Sequence, residues 1–168
     1  MKGRKRLLRA REKKKIEGVL KRKLSRRPEI TFAYLHGSFL LPVPCGDVDL
    51  AVYVAAAALP ERHWEYEARL AAALEPAVGL PVDVLVLNRA PVALRYHATR
   101  GKVLLSRNEP IRFDFLEATW REYFDCQPLF KAFFQDLISI PDKEVRERYT
   151  GPEREKDRPV GEGRSPQG

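Results

Sequence analysis

The sequence predicts an α+β domain, a mixed sheet of about four strands packed by helices, with further helices toward the C-terminus. Three observations predict it. Short β-branched runs recur at residues 30–35, 48–54, 82–87 and 103–106. Segments with apolar residues at helical spacing separate them. A long aromatic stretch, residues 111–140, follows the last run.

Ile16, Val19, Leu20 and Leu24 recur at helical spacing, so the basic N-terminal segment is expected to become a helix that docks before Pro28. Ile30 to Leu35 then reads as a strand, and Val48 to Val54 as the next. Pro60 suits the first turn of a helix reaching Glu75, with Trp64, Ala68, Ala71 and Leu74 on one face. Asp83 begins the third strand, and Pro91 to Thr99 is a short helix closed by Gly101. Val103 to Ser106 forms the fourth strand. The aromatic stretch is helical and expected to break near Pro128. Residues 142–168 are rich in charge, Gly and Pro, which predicts disorder. The organisation read from this is a basic arm or helix at 1–27, one domain at 28–140 and a charged tail at 141–168.

The chemistry is concentrated between Tyr34 and Val54. A Gly37-Ser38 turn follows one apolar run, and Asp47 and Asp49 stand at the start of the next. On a strand, side chains at i and i+2 share a face. The two carboxylates would therefore stand side by side, with no lysine or arginine in the neighbouring sequence to neutralise them. A divalent cation suits the pair, and magnesium takes one or two protein carboxylates plus water and substrate phosphates. Gly37 and Ser38 supply backbone N–H groups and a hydroxyl with little bulk, a fit for phosphate. Asp83 puts a third carboxylate near the start of a later strand, as a metal ligand or as a base for an incoming hydroxyl. The bland alternative for Asp83 alone is a solvated strand end after Pro81.

On these residues the chain resembles a minimal nucleotidyltransferase (MNT) of the DNA polymerase β-like superfamily. The signature there is Gly-Ser, a spacer, Asp-x-Asp and a third acid on a later strand. The resemblance spans residues 30–134. Asp83-Val-Leu-Val-Leu-Asn-Arg-Ala-Pro91, Arg112-Phe-Asp-Phe115 and Tyr123-Phe-Asp125 are similar to the MNT antitoxins that partner HEPN toxins. The spacer is shorter than in many relatives, with Leu, Pro and Cys in place of Arg and Gly, and Gly46 stands where serine is usual. The resemblance implies a nucleotidyltransferase (polymerase β-like) fold. It also implies that Gly37 and Ser38 hold the triphosphate, Asp47 and Asp49 bind Mg2+, and Asp83 completes the site. The implied reaction is AMP transfer from ATP to a hydroxyl, namely a tyrosine of a HEPN-type toxin encoded by a neighbouring gene. Two alternatives stay open: a small-molecule (aminoglycoside-type) nucleotidyltransferase, and an antitoxin that acts by binding alone.

Charge and composition exclude other classes. Residues 1–27 hold 14 Lys and Arg against Glu12 and Glu17, a net of +12, while the remainder carries −4. The basic segment reads first as a solvated helix that keeps the protein soluble, with non-specific nucleic-acid affinity as a by-product. It contains no aromatic residue for base stacking. Cys45 and Cys126 make neither a metal spacing nor a disulfide framework, which points to a reducing cytosol. The apolar run Leu50–Leu59 is too short to span a bilayer, and the basic N-terminus is not followed by the apolar stretch of a signal peptide. No P-loop, Ser-His-Asp order or zinc spacing is present. His36 is expected to pack beside the Gly37 turn, with donation to a phosphate as the alternative, and His63 to be solvated. His97, near Arg95 and Arg100, reads first as part of a solvated helix face, and the alternative is that this cluster faces the nucleotide or a partner. The aromatic residues between Phe113 and Phe134 exceed what a small sheet needs, so a residual exposed patch would mark a partner surface.

Overall fold

The alternation in 48–54 divides the sheet into two faces. Val48, Leu50, Val52 and Val54 are fully buried in one hydrophobic cluster, while Ala51 belongs to a second cluster. The computed structural model describes residues 5–139, and side chains as far as residue 132. They fall into two compact units, residues 5–126 and residues 127–139. The expected disorder at 142–168 lies outside the described residues.

In the first unit, α1 (Ala10–Ser25) precedes β1 (Ile30–His36), a short helical turn at Gly37–Leu40, and β2 (Val48–Val54). Then come α2 (His63–Val78), β3 (Val82–Val86), α3 (Val92–Thr99) and β4 (Lys102–Ser106). Helix α4 (Glu109–Ser139) starts in this unit and continues into the second. The strand order is β3-β2-β1-β4. Strand β1 runs antiparallel to β2 and β4, and β2 runs parallel to β3. Among the described residues, no helix is long and apolar enough to cross a membrane.

One face of the sheet is covered by α1 and α2. Leu20 and Leu24 of α1 are wholly inaccessible to solvent, and Leu70 and Leu74 of α2 nearly so. Arg107, just after β4, fastens the end of α1: its guanidinium donates to the carbonyls of Ser25 (2.8 Å) and Ile30 (3.0 Å). A cation at a helix C-terminus also meets the negative end of the helix dipole. On the other face, Phe32 and Tyr34 of β1 pack with Ala51, Leu87, Ala98 of α3 and Phe115 of α4. Phe32 stacks on Tyr53 at 4.7 Å.

Polar side chains finish the sheet where its backbone would otherwise lack partners. On the edge strand β3, the amides of Val86 and Val82 donate to Glu67 (2.7 Å) and Glu75 (3.1 Å) of α2. Asn88 accepts from the Val54 amide (2.9 Å) and donates to the Val54 carbonyl (2.8 Å), so its side chain serves as one more strand residue beside β2. Unpaired edges invite pairing with other chains, and these contacts occupy two of the amides on the β3 edge.

Four expectations are corrected. Helix α2 begins at His63, after a turn at Ala56–Ala58, and not at Pro60. Its buried face is Leu70 and Leu74, whereas Trp64 is 57% exposed. Two leucines bury more apolar area than the alanines at 68 and 71, and they set the helix's rotation. Pro128 lies inside α4, which continues to Ser139. A proline removes one hydrogen bond, and a helix of this length retains the rest. Gly101 does not act as a left-handed cap, since α3 ends on Arg100 in right-handed conformation. Its glycine answers a close approach instead, because a β-carbon there would lie 2.0 Å from the Leu35 carbonyl oxygen. Gly79 is the left-handed residue that ends α2, at φ 69°.

Candidate active site

The register gathers the residues that the sequence singled out. His36 of β1 pairs with Asp49 of β2, and Asp49 pairs with Asp83 of β3. Three neighbouring strands thus present His36, Asp49 and Asp83 in one row across the sheet. Directly paired side chains share a face, and for Asp49 it is the face opposite the buried Val48 and Leu50. Asp47 lies one residue before β2, two positions from Asp49. Asp47 and Asp49 are half-buried and Asp83 is exposed.

Gly37 turns the chain immediately after this row. It has φ 72°, in the left-handed region that favours glycine. A β-carbon at this position would stand 2.0 Å from Asp49 Oδ2, so the turn and the carboxylate touch because there is no side chain between them. Gly37 and Ser38 open the short helical turn Gly37–Leu40, which Phe39 anchors by burying its ring completely.

The spacer between Ser38 and Asp47 is held from outside. The backbone of Arg6 pairs with that of Cys45 through two hydrogen bonds, at 3.0 and 3.1 Å. Lys13 of α1 donates from Nζ to the Leu41 carbonyl at 2.6 Å and lies over the Phe39 ring. Cys45 is buried, in keeping with a small hydrophobe rather than a nucleophile. The N-terminal segment therefore braces the loop that leads into Asp47. Nothing in the residues themselves signals this, because a single antiparallel bridge leaves no periodicity.

A cleft at this end of the sheet is lined by His36, Gly37, Ser38, Leu40 and Leu41 together with His97, Arg100 and Gly101 of the α3–β4 corner. His97 and Arg100 are both exposed and line this cleft, while Arg95 is paired with Glu122 at 2.8 Å. His63 stands on α2 beside Trp64, away from these residues. Arg112, in the Arg112-Phe-Asp-Phe115 stretch, is occupied structurally: it donates to the Tyr34 hydroxyl (3.1 Å) and is paired with Glu109.

Burial holds the His36 imidazole below its ordinary pKa of 6.5, and its Nε2 is buried without a hydrogen-bond partner. The unfolded chain takes up this proton at a higher pH than the folded one. Between the two pKa values the unfolded state binds more protons, so folding stability falls as pH drops below 6.5. Urea midpoints measured from about pH 7.5 to 5.5 should decline more steeply for the native protein than for His36→Gln. Equal slopes would remove His36 as the source.

The carboxylates offer hard oxygen donors of the kind magnesium takes. Asp47 and Asp49 suffice for an ion that keeps water and phosphate as its other ligands. Among the described residues, no group of three His, Cys, Asp or Glu side chains is gathered closely enough to hold a metal by protein ligands alone.

The family model described as polymerase beta, nucleotidyltransferase matches residues 18–110 of the chain. No curated protein sequence matches it. Among solved structures, the chain is similar to one from the tri-AMPylated Shewanella oneidensis HEPN toxin in complex with MNT antitoxin. That match has 25% identity and a TM-score of 0.61, and covers 76% of this chain and 99% of the other. A chain of a toxin–antitoxin structure with AMP-PNP matches at 25% identity and TM-score 0.61, covering 73% and 98%. A chain of the toxin–antitoxin MntA–HepT, at 23% identity and TM-score 0.58 over 78% and 100%, adds likeness of fold alone.

Proposed function

Because this chain belongs to the polymerase β nucleotidyltransferase family, we propose that it transfers AMP from ATP to a tyrosine hydroxyl of a HEPN-type toxin, and so acts as an antitoxin. The observation that carries this reading is the contact between the Gly37 turn and Asp49, in a row with Asp83. It puts a phosphate-sized, side-chain-free turn against a carboxylate that the next strand backs with another.

In this reading the Gly37–Ser38 backbone and the Ser38 hydroxyl grip the triphosphate, and Asp47 and Asp49 hold Mg2+. Magnesium, when bound, neutralises phosphate charge and makes the α-phosphorus easier to attack. Asp83 stands on the outer strand and is exposed, which suits a carboxylate that takes or orients the proton of the acceptor hydroxyl. The hydroxyl oxygen forms the new bond to the α-phosphorus, the α–β bridge breaks in line, and pyrophosphate leaves.

A protein acceptor is supported by α4. Phe113 and Phe124 are 55% and 49% exposed, and with Leu116 and Trp120 they line an apolar groove. Apolar residues contiguous on a surface mark partner sites. The complexes of the HEPN toxin with MNT antitoxin, one of them AMPylated, make that toxin class the acceptor to test first.

The test combines α-labelled ATP, magnesium, this protein and the product of its neighbouring gene. Label should pass to a tyrosine of the neighbour, and Asp47→Asn should reduce the rate at least a hundred-fold, roughly, by weakening the metal's hold. Full-rate transfer by Asp47→Asn would falsify the mechanism. A tight complex without label would leave a binding-only antitoxin, and label on a small hydroxylated compound would move the acceptor to that class.

A further inference from the structure

We propose that Arg100 is a phosphate-binding residue of this site, receiving the outer phosphates of the nucleoside triphosphate in the cleft that it lines with the Gly37–Ser38 turn. The inference rests on the nucleotidyltransferase reading and adds to it a residue outside the Gly-Ser and Asp-x-Asp segments.

Arg100 reaches this position by construction. It joins α3 to β4, and the next residue, Gly101, lets the corner settle onto the end of β1. A β-carbon on Gly101 would lie 2.0 Å from the Leu35 carbonyl oxygen and 3.0 Å from His36 Cβ. Any other residue would push the corner, and Arg100 with it, away from the cleft. The corner is also braced from behind, where Trp120 Nε1 donates to Thr99 Oγ1 at 3.1 Å. Beneath the guanidinium is Tyr96, 5.6 Å away, and Tyr96 is stacked on Tyr123 at 3.8 Å with planes 2° apart. The cation rests on a fixed aromatic platform.

Its charge is uncommitted. The nearby cations are already paired: Arg95 with Glu122, Lys102 with Glu17 at 2.6 Å, and Arg112 with Glu109. Among the described residues, Arg100 has no carboxylate partner within salt-bridge distance and is exposed. The Gly37–Leu41 side of the cleft offers a backbone turn, a hydroxyl and two leucines, and the Lys13 ammonium beside it is bonded to the Leu41 carbonyl. A triphosphate bound there brings several negative charges, and the arginine fork is the side chain best shaped to meet phosphate oxygens. His97 lines the same cleft and offers a further ring nitrogen.

Calorimetric titration of the full chain with magnesium and AMP-PNP, tripolyphosphate or AMP separates the contributions. Arg100→Ala should weaken AMP-PNP and tripolyphosphate roughly ten-fold or more, leave AMP within about two-fold, and recover in part as Arg100→Lys. An unchanged thermal midpoint is expected, since the side chain is exposed and partnered only by a ring. Arg100→Ala that binds all three probes as the native protein does overturns the assignment. Equal weakening of AMP and AMP-PNP overturns it too, because the contact would then lie at the nucleoside end. If the native protein binds neither triphosphate probe, this inference and the reading it rests on fall together. If it binds and transfers while Arg100→Ala binds normally, this inference alone falls.

Discussion

Gly37→Ala is expected to reduce nucleotidyl transfer by roughly a hundred-fold or more while leaving the fold in place. Two costs coincide at this residue. Its φ of 72° places an L side chain in the left-handed region, a strain of about 1–2 kcal/mol. The added methyl would also stand 2.0 Å from Asp49 Oδ2 and 2.8 Å from Asp49 Cγ, distances no real β-carbon tolerates. The turn or the carboxylate must therefore move by an ångström or so, and a misplacement of about that size can cost two orders of magnitude in rate. Gly37 is exposed, and the buried cores on both faces of the sheet do not depend on it. The thermal midpoint should drop by only a few degrees, roughly. Transfer rate and midpoint, measured on the same preparation, check the split. Near-native transfer would mean that the contact of turn and carboxylate is incidental.

The second large effect is on stability. Leu20→Ala in α1 is expected to cost about 3 kcal/mol, within the usual 2–5 for a large buried side chain cut to alanine. Leu20 is 0% exposed and packs into the cluster that includes Leu24, Leu50, Leu70 and Leu74. Its helix cannot easily swing inward to fill the gap, because Arg107 fixes one end and Lys13 ties another turn to Leu41. The adjacent Lys21 is exposed, and Lys21→Ala should stay within about 0.5 kcal/mol. Urea denaturation of the two variants is the check. A cost below about 1 kcal/mol for Leu20→Ala would show α1 to be a loosely attached arm after all.

The elements that carry the site are legible in the sequence because each has a local cause. Val48–Val54 alternates cleanly, and the structure keeps those bounds. The Gly-Ser turn and the i, i+2 spacing of Asp47 and Asp49 likewise read directly, since neither needs a distant partner. The pairing of Asp49 with Asp83 does not, because parallel register is fixed by the crossover through α2 and by packing on both faces. The rotation of α2 depends on which side chains compete for one cleft in the core, a question no single helix answers. Asn88 reads as part of a family-like pattern, yet its two bonds to Val54 show it completing the sheet. The sequence sets Arg100 in a cluster with Arg95 and His97 that could face the nucleotide, but reads it first as a solvated helix face, because what lies across the cleft comes from distant chain. The Arg6–Cys45 bridge leaves no mark at either of its positions for the same reason.

The parallel step between β2 and β3 also has a temporal consequence. A chain emerging from the ribosome as far as Val54 can already pair β1 with β2 and form the Gly37 turn, both being close in sequence. Asp83 arrives only after α2, and β1 gains its second neighbour only when β4 does. No early fragment therefore holds the whole row of His36, Asp49 and Asp83. The row is therefore completed from segments made one after another, and its last member waits for β3 to dock beside β2.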